Sequence, residues 1–287
     1  MRQPRQRFID TGDTRIAVNH WRGSGDPVLL LHATGFHSRC WDQVVHLLPE
    51  RDIYAADLRF HGASGDNGKV SWAAMCADIL HVVETLDLQR TVGAGHSIGG
   101  HILARVAVRV PQHFARLLLI DPVIQCPERY ARMRRFAAQH SAADHPVSRR
   151  RNQWRGPQEM YERFLSRPPF NTWRPEVLRD YCDHALGPAD AQGNHPLACD
   201  PLHEASIYMH QENNAVIYEE LPDLQLPVTL LRAPPGTGST PDFRNSPTWP
   251  QLAGVLPDCH EVYLPDNNHF IPMQDPALVA KYILAGQ

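Results

Sequence analysis

Apolar residues along this chain follow two alternating rhythms. Short apolar runs bounded by turn residues alternate with longer stretches in which apolar positions recur three and four apart. The first rhythm marks strands and the second marks helices that bury one face. Arg7-Phe8-Ile9-Asp10 and the run from Arg15 to Trp21 flank Thr11-Gly12-Asp13, a turn signal. After a second turn, Gly23-Ser24-Gly25-Asp26, comes Pro27-Val28-Leu29-Leu30-Leu31-His32, so nearly apolar throughout that a strand covered on both faces is expected. Trp41, Val44, Val45 and Leu48 predict a helix, with Ser38 a candidate N-cap. Asp52-Ile53-Tyr54-Ala55-Ala56-Asp57 is the next strand. Ser71 is placed to cap a helix carrying Trp72, Met75, Cys76, Ile79, Leu80, Val83 and Leu86 on one face. Thr91-Val92-Gly93-Ala94 then reads as a strand, and Ile98, Ile102, Leu103, Val106 and Val110 as the buried stripe of a helix ending before Pro111. The run from Ala115 to Asp121 is the sixth strand, and the alternation predicts parallel pairing with right-handed helical crossovers.

At Pro122 the texture changes, for 18 of the 25 prolines lie between Pro122 and Pro257. Proline is disfavoured inside central strands and helix interiors, so this region should be short helices joined by stiff loops. Candidate helices are Pro127–His140, Pro157–Leu165, Pro175–Ala185 and Leu202–Glu212. The sheet resumes at Pro227–Ala233, followed by a Pro/Gly/Ser/Thr loop and a helical segment near Trp249–Val255. A last strand, His260–Leu264, precedes a helix opened by Pro276 that buries Leu278, Val279, Tyr282 and Ile283. The expected architecture is therefore α/β: a mostly parallel, doubly wound sheet built from residues 1–122 and 227–287, with a helical cap, 123–226, inserted between its sixth and seventh strands.

Composition narrows the class without naming a chemistry. The 287 residues are 43% hydrophobic and 21% charged, with a net charge of −3, which argues for a globular chain and against nucleic acid or an anionic membrane surface as partner. No apolar run approaches the roughly 20 residues of a membrane span, and the basic start Met1–Arg7 has no apolar run behind it, so it reads as neither secretion signal nor anchor. Six cysteines stand at least 17 positions apart, which predicts free thiols and a cytoplasmic protein. The 17 histidines form no H-x-x-x-H pair, so no metal is expected, and nothing calls for a cofactor. Arg149-Arg150-Arg151, with Arg155 beyond, reads as a solvated basic face, or alternatively as a basic lip near an anionic substrate.

The chemistry concentrates at Gly95-His96-Ser97-Ile98-Gly99-Gly100. Ser97 falls between a strand and a helix, and Gly95 and Gly99 sit where side chains would strike neighbouring backbone in a tight turn. Such a turn holds the serine in a strained conformation at its tip, with the N-terminus of the following helix aimed at any developing anion. A nucleophile of this kind needs a base and oxyanion donors. His269, in the polar loop Asp266-Asn267-Asn268-His269 after the last strand, is the candidate base. The backbone N–H of Ile98 and that of Thr34, in the loop His32-Ala33-Thr34-Gly35-Phe36, are the candidate oxyanion donors.

These pieces, with Asp57-Leu58-Arg59-Phe60-His61-Gly62-Ala63-Ser64 and Asn268-His269-Phe270-Ile271-Pro272-Met273, resemble the α/β-hydrolase fold family, in its single-cap esterase and carbon–carbon bond hydrolase branch. The resemblance covers about residues 14–122 and 227–287, in the same order. Two positions depart from it: Ala33 and Phe60 stand where glycine is usual, and Ala33 is expected to narrow the oxyanion loop. The resemblance implies that Asp57, Arg59, His32, His61 and His96 brace the neighbouring turns rather than react. It also implies a triad acid. The family usually keeps this acid shortly after the seventh strand, where Pro234-Pro235-Gly236-Thr237-Gly238-Ser239 offers none before Asp242. Some members keep it after the sixth strand, where Asp121 stands. Asp121 is the assignment made, with Asp242 and Asp266 as alternatives. The expected function is hydrolysis of a small-molecule carboxylic ester or lactone through Ser97, His269 and Asp121. Phe36, Phe170 and Trp173 are expected to line the substrate pocket. A carbon–carbon bond hydrolase of a vinylogous diketone and a non-enzymatic receptor on the same scaffold are the alternatives. The sequence leaves substrate identity and oligomeric state open.

Overall fold

A computed structural model describes residues 2–211, 213–236 and 242–285. Eight strands form one sheet: β1 (Arg5–Asp10), β2 (Arg15–Trp21), β3 (Gly25–Leu31), β4 (Arg51–Ala56), β5 (Thr91–His96), β6 (Phe114–Ile120), β7 (Val228–Arg232) and β8 (Cys259–Tyr263). Their order is β1-β2-β4-β3-β5-β6-β7-β8. β2 pairs antiparallel with β1 and β4, and every other pair is parallel. The helices of the core are α1 (Asp42–His46), α2 (Trp72–Thr85) and α3 (Ile98–Arg109).

The apolar run of β3 is explained by what covers it. Leu29 and Leu31 face a cluster containing Trp72, Met75 and Ile79 of α2 and Ile98, Ile102 and Leu103 of α3. Val28 and Leu30 face the opposite cluster, with Trp41, Val44 and Val45. Successive strand side chains point to opposite faces, so a strand with helices on both sides needs apolar residues at every position.

Between β6 and β7 the described residues contribute no strand to this sheet. They form α4 (Pro127–Ala137), α5 (Pro157–Phe164), α6 (Pro175–His184), α7 (Pro201–Met209) and α8 (Ile217–Glu220), joined by short 3-10 turns. Proline opens α4, α5, α6 and α7, where its missing N–H costs nothing. α7 begins one residue before its expected start because the Asp200 side chain caps it, accepting from Leu202 N–H at 2.8 Å. It ends at Met209, and Glu212, its expected end, lies outside the described residues. Two further helices, α9 (Ile271–Gln274) and α10 (Pro276–Leu284), complete the chain.

Two local expectations are corrected. Ser38 is not an N-cap: it lies inside a 3-10 turn, Ser38–Trp41, and its hydroxyl accepts from Asn19 Nδ2 at 2.7 Å. The segment near Trp249–Val255 reduces to one 3-10 turn, Leu252–Gly254. The loop after β4 behaves as a brace. Asp57 accepts from Ser38 N–H and Ala63 N–H at 2.7 and 2.9 Å. Arg59 reaches across to α2, where Nη2 meets Asp78 Oδ1 at 2.7 Å and Nε meets Oδ2. Phe60 carries φ +68, a region favourable to glycine; its ring is buried and lies 4.7 Å from that of His203 on α7, and this packing offsets the backbone cost.

Both members of the Arg59–Asp78 pair are almost wholly buried, 2% and 3% exposed. Removing one partner strands the other charge away from water. Asp78→Ala is therefore expected to lower the unfolding free energy by about 3–5 kcal/mol in urea titration; a loss under about 1 kcal/mol would contradict this account of the loop.

Candidate active site

Strand register assembles the site. Leu31 of β3 pairs with Gly95 of β5, so the chain leaving β3 through Thr34 emerges beside the chain leaving β5 through Ser97. His96 pairs with Ile120 of β6, which brings Asp121 beside Ser97, and Ile120 pairs with Leu231 of β7. Strand order reverses around β3, with β4 on one side and β5 on the other, and the carboxyl edge at such a reversal is where open α/β sheets bind ligands.

Ser97 occupies a strained conformation, φ 58 and ψ −119, directly before the first residue of α3. The glycines around it are required by contact. A Cβ on Gly95 would lie 2.5 Å from Gly99 O, and one on Gly99 would strike Leu31 O. The first N–H groups of a helix have no intrahelical acceptor, so Ile98 N–H is available to an anion. In the facing loop, Gly35 N–H is taken by His61 Nε2 at 3.0 Å and Phe36 N–H by Ala33 O at 3.1 Å. Thr34 N–H makes no hydrogen bond among the described residues.

His269 Nε2 lies 3.0 Å from Ser97 Oγ, and His269 Nδ1 lies 2.7 Å from Asp121 Oδ2. The base candidate is clamped at its backbone. Its N–H donates to Arg244 O at 2.8 Å, and its carbonyl accepts from His96 Nε2 at 2.8 Å. Asp121 itself has φ +44 and is completely buried. Its second oxygen, Oδ1, accepts from Ala233 N–H at 3.0 Å and Ser246 Oγ at 2.6 Å, and lies 3.4 Å from Thr248 Oγ1. Of the alternative acids, Asp242 binds the Arg244 guanidinium and backbone instead, and Asp266 is exposed in the loop. Ser239, Gly238 and Thr237 of the loop before Asp242 lie outside the described residues.

The neighbouring histidines are neutral supports. His32 donates from Nδ1 to Ala33 O at 2.8 Å and accepts at Nε2 from Leu58 N–H at 2.9 Å. His61 donates from Nδ1 to Arg59 O at 2.9 Å and accepts from Gly35. Burial is the main cause that pushes His32 down to about 4 and His61 to about 3, and each ring accepts a bond that an imidazolium could not. Burial first, and then the neighbouring imidazole of His269, holds His96 well below the ordinary histidine range.

Phe36, Trp173, Tyr181 and Phe270 pack together above this edge, with Phe36 5.3 Å from Trp173, 5.5 Å from Tyr181 and 6.0 Å from Phe270, ring to ring. Phe170 joins them 5.0 Å from Trp173. Phe270 follows His269 in sequence, so the cluster abuts the base. Trp154 and Phe164 extend it toward α5. Arg150 departs from its solvated basic run: it turns inward to bind Glu204 of α7 and donates to Tyr181 Oη at 3.1 Å. A Cβ on Gly35 would strike that Glu204 carboxylate, so the ion pair backs the loop that carries Thr34. Ser246, Thr248 and Glu204 were outside the sequence reading. The only trace of the first two is a pair of hydroxyls, Asn245-Ser246-Pro247-Thr248, in a region rich in such residues.

Comparison with known proteins agrees with this architecture. The model of the alpha/beta hydrolase family matches residues 28–282, and the chain belongs to that family. Lipase LipV of Mycobacterium tuberculosis is 36% identical over 103 residues, 34% of this chain and 37% of that protein. The match thus spans about a third of the length of these mycobacterial relatives. Among solved structures, the thioesterase domain from the curacin biosynthetic pathway superposes with a TM-score of 0.76 at 19% identity, covering 98% of this chain and 99% of that one. E-2-(acetamidomethylene)succinate hydrolase gives 0.74 at 19% identity, covering 98% and 97%. These structural likenesses establish the shared fold. Among the described residues, no helix is long and apolar enough to cross a membrane.

The histidine supports carry a pH dependence. Their folded-state proton affinity lies below that of the unfolded chain, whose histidines titrate near 6.5. Their contribution is therefore complete above about pH 6.5 and is lost as pH falls through that value toward about 4 and 3. The urea midpoint is expected to drop between about pH 7 and about pH 5, while imidazole NMR at pH 5 reports His32 and His61 neutral with the proton on Nδ1. Charged signals for either ring at that pH would contradict the assignment.

Proposed function

We propose that this protein is a serine hydrolase that cleaves a small carboxylic ester or lactone through an acyl-enzyme. The observation that carries the proposal is the hydrogen-bonded chain from Ser97 through His269 to buried Asp121, at 3.0 and 2.7 Å. Ser97 Oγ attacks the carbonyl carbon as His269 Nε2 takes its proton. The carbonyl oxygen, now an oxyanion, accepts from Ile98 N–H and Thr34 N–H. His269 returns the proton to the departing alkoxide, then activates water to release the acid. Asp121 keeps the imidazole in the tautomer with hydrogen on Nδ1 and stabilises the imidazolium. The lipase among the relatives supports acyl transfer as the reaction class.

The helical residues 123–226 supply the specificity pocket in this reading, and Phe36, Phe170 and Trp173 are its walls. Phe36 and Trp173 pack against Phe270, next to the base, and Phe170 packs on Trp173, which supports that role.

Ser97→Ala is expected to lower kcat by about 10⁴-fold or more with the fold retained. A fluorophosphonate probe should label Ser97 alone by mass spectrometry. Asp121→Asn is expected to cost about 10³–10⁴ in kcat, because the amide favours the wrong tautomer, against less than about tenfold for Asp242→Asn. Labelling at another serine, or the reverse ranking of the two acids, would overturn the assignment.

For the pocket, Phe170→Leu and Trp173→Phe keep the cluster filled while changing its outline. Each is expected to shift the ratio of kcat/KM between acetyl and hexanoyl p-nitrophenyl esters by about tenfold or more, as pocket changes of a few methylenes do. A loss of stability with an unchanged ratio would make these rings core and remove them from the pocket.

A further inference from the structure

We propose that Ser246 is a positioning residue for the Asp121–His269 pair, its hydroxyl holding the carboxylate aimed at the imidazole. The inference rests on the reading of Ser97, His269 and Asp121 as the reacting chain.

The argument begins with desolvation. Asp121 is completely buried, and a buried carboxylate needs hydrogen-bond donors in place of its water. Oδ2 is committed to His269 at 2.7 Å. Oδ1 has two clear donors, Ala233 N–H at 3.0 Å and Ser246 Oγ at 2.6 Å, the latter within the range of charge-assisted O–H···O bonds.

Hydroxyl bookkeeping then separates Ser246 from Thr248. Each hydroxyl has one proton to give. Thr248 Oγ1 lies 2.7 Å from Pro122 O and 3.4 Å from Asp121 Oδ1, so its proton goes to the proline carbonyl. Ser246 Oγ accepts from Thr248 N–H at 3.2 Å, which leaves its own proton directed at the carboxylate. Ser246 is itself fixed by Ser246 N–H to Pro234 O at 3.0 Å. The loop after β7 therefore supplies a hydroxyl to the acid at the end of β6, and its carboxylate, Asp242, faces Arg244 instead.

The sign of the consequence follows. Without the Ser246 proton, the carboxylate is less stabilised as an anion, and the Asp121–His269 pair holds a proton more tightly. Catalysis needs that pair unprotonated at Nε2, so the acid limb of kcat/KM moves to higher pH. The titratable and charged groups that face the pair are His96, 4.9 Å from His269 ring to ring and kept neutral by burial, and the Arg244–Asp242 ion pair, whose Arg244 carbonyl receives His269 N–H. None of them is hydrogen-bonded to Ser246, whose partners are Asp121, Thr248 and Pro234.

The test uses the full chain with p-nitrophenyl acetate. Ser246→Ala is expected to lower kcat about tenfold, with KM within about twofold, and to raise the midpoint of the acid limb by about half a pH unit or more. Ser246→Thr, which keeps the hydroxyl, is expected to restore both. Thr248→Val is expected to leave the acid limb in place, since its proton serves Pro122. If the alanine variant fails to fold, Ser246→Cys keeps the volume with a weaker donor and must show the same shift in the same direction. Wild-type kcat and an unmoved acid limb in the folded Ser246 variants would overturn the proposal, as would an equal shift in Thr248→Val. Asp121→Asn, assayed alongside, separates the two levels. If it retains activity, the reacting chain itself is misassigned. If it collapses while Ser246→Ala is unchanged, only the role of Ser246 falls.

Discussion

The helix that begins at Ile98 reaches the end of β3 only because Gly99 presents no side chain to Leu31 O. That close approach sets the distance between the two halves of the edge. It brings the helix N-terminus, with its unpaired N–H groups, against the loop that carries Thr34. It also forces the turn at Ser97 into a conformation that serine tolerates poorly, φ 58. The surrounding contacts hold it there: Ser97 N–H donates to Ile120 O at 3.0 Å, and Ser97 O accepts from Val123 and Gly100 N–H at 3.0 and 3.1 Å. A larger residue at position 99 would lift the helix, and the serine, the loop that carries Thr34 and β6 would lose their shared frame together.

The edge concentrates polar groups in a place with little water, and it solves that problem in three ways. Buried carboxylates receive several donors in place of water, as Asp121 and Asp57 do. Arg59 pairs with a carboxylate buried with it, Asp78. The imidazoles of His32, His61 and His96 are kept neutral, so they serve as rigid donor–acceptor spacers between loops. Among the described residues, only His269 touches both an acid and the serine, which leaves one imidazole on this edge with a chain along which a proton can move.

What the sequence disclosed followed from how local each cause is. The two-faced apolar run at Val28-Leu29-Leu30-Leu31 and the glycine spacing around Ser97 are statements about immediate neighbours, and both were readable. Asp121 was reachable by position, because strand order puts the end of β6 beside β5. Its competition with Asp242 turned on a loop path, which depends on contacts distant in sequence: Ser246 N–H to Pro234 O, Arg244 O to His269 N–H, and Trp249 N–H to Ile124 O. The same holds for Ser38, whose hydroxyl finds Asn19 nineteen residues away rather than the helix beside it. Arg150 is the plainest case. Three consecutive arginines look alike in sequence, yet Arg151 lies over the Trp154 ring at the surface while Arg150 faces inward to Glu204, and only the fold distinguishes them.

In the proposed function, the loop that bears His269 is also where recognition and chemistry meet. Asn268 fixes it at three points: its N–H donates to Gln274 Oε1 at 2.8 Å, its Oδ1 accepts from Phe270 N–H at 2.9 Å, and its Nδ2 donates to Thr172 Oγ1 at 3.1 Å. The last of these reaches into the segment between β6 and β7, and Arg174 N–H returns to Met273 O at 2.9 Å. Thr172 and Arg174 flank Trp173, whose ring packs 5.5 Å from Phe270. The chain around the aromatic cluster and the chain around the base thus hold one another in place. A shape change at Trp173 is transmitted to a backbone whose next contact is the imidazole, and catalytic geometry on this scale is sensitive to displacements of about 1 Å. If the proposed function holds, selectivity and turnover are coupled through the Asn268–Thr172 contact rather than set by separate parts of the molecule.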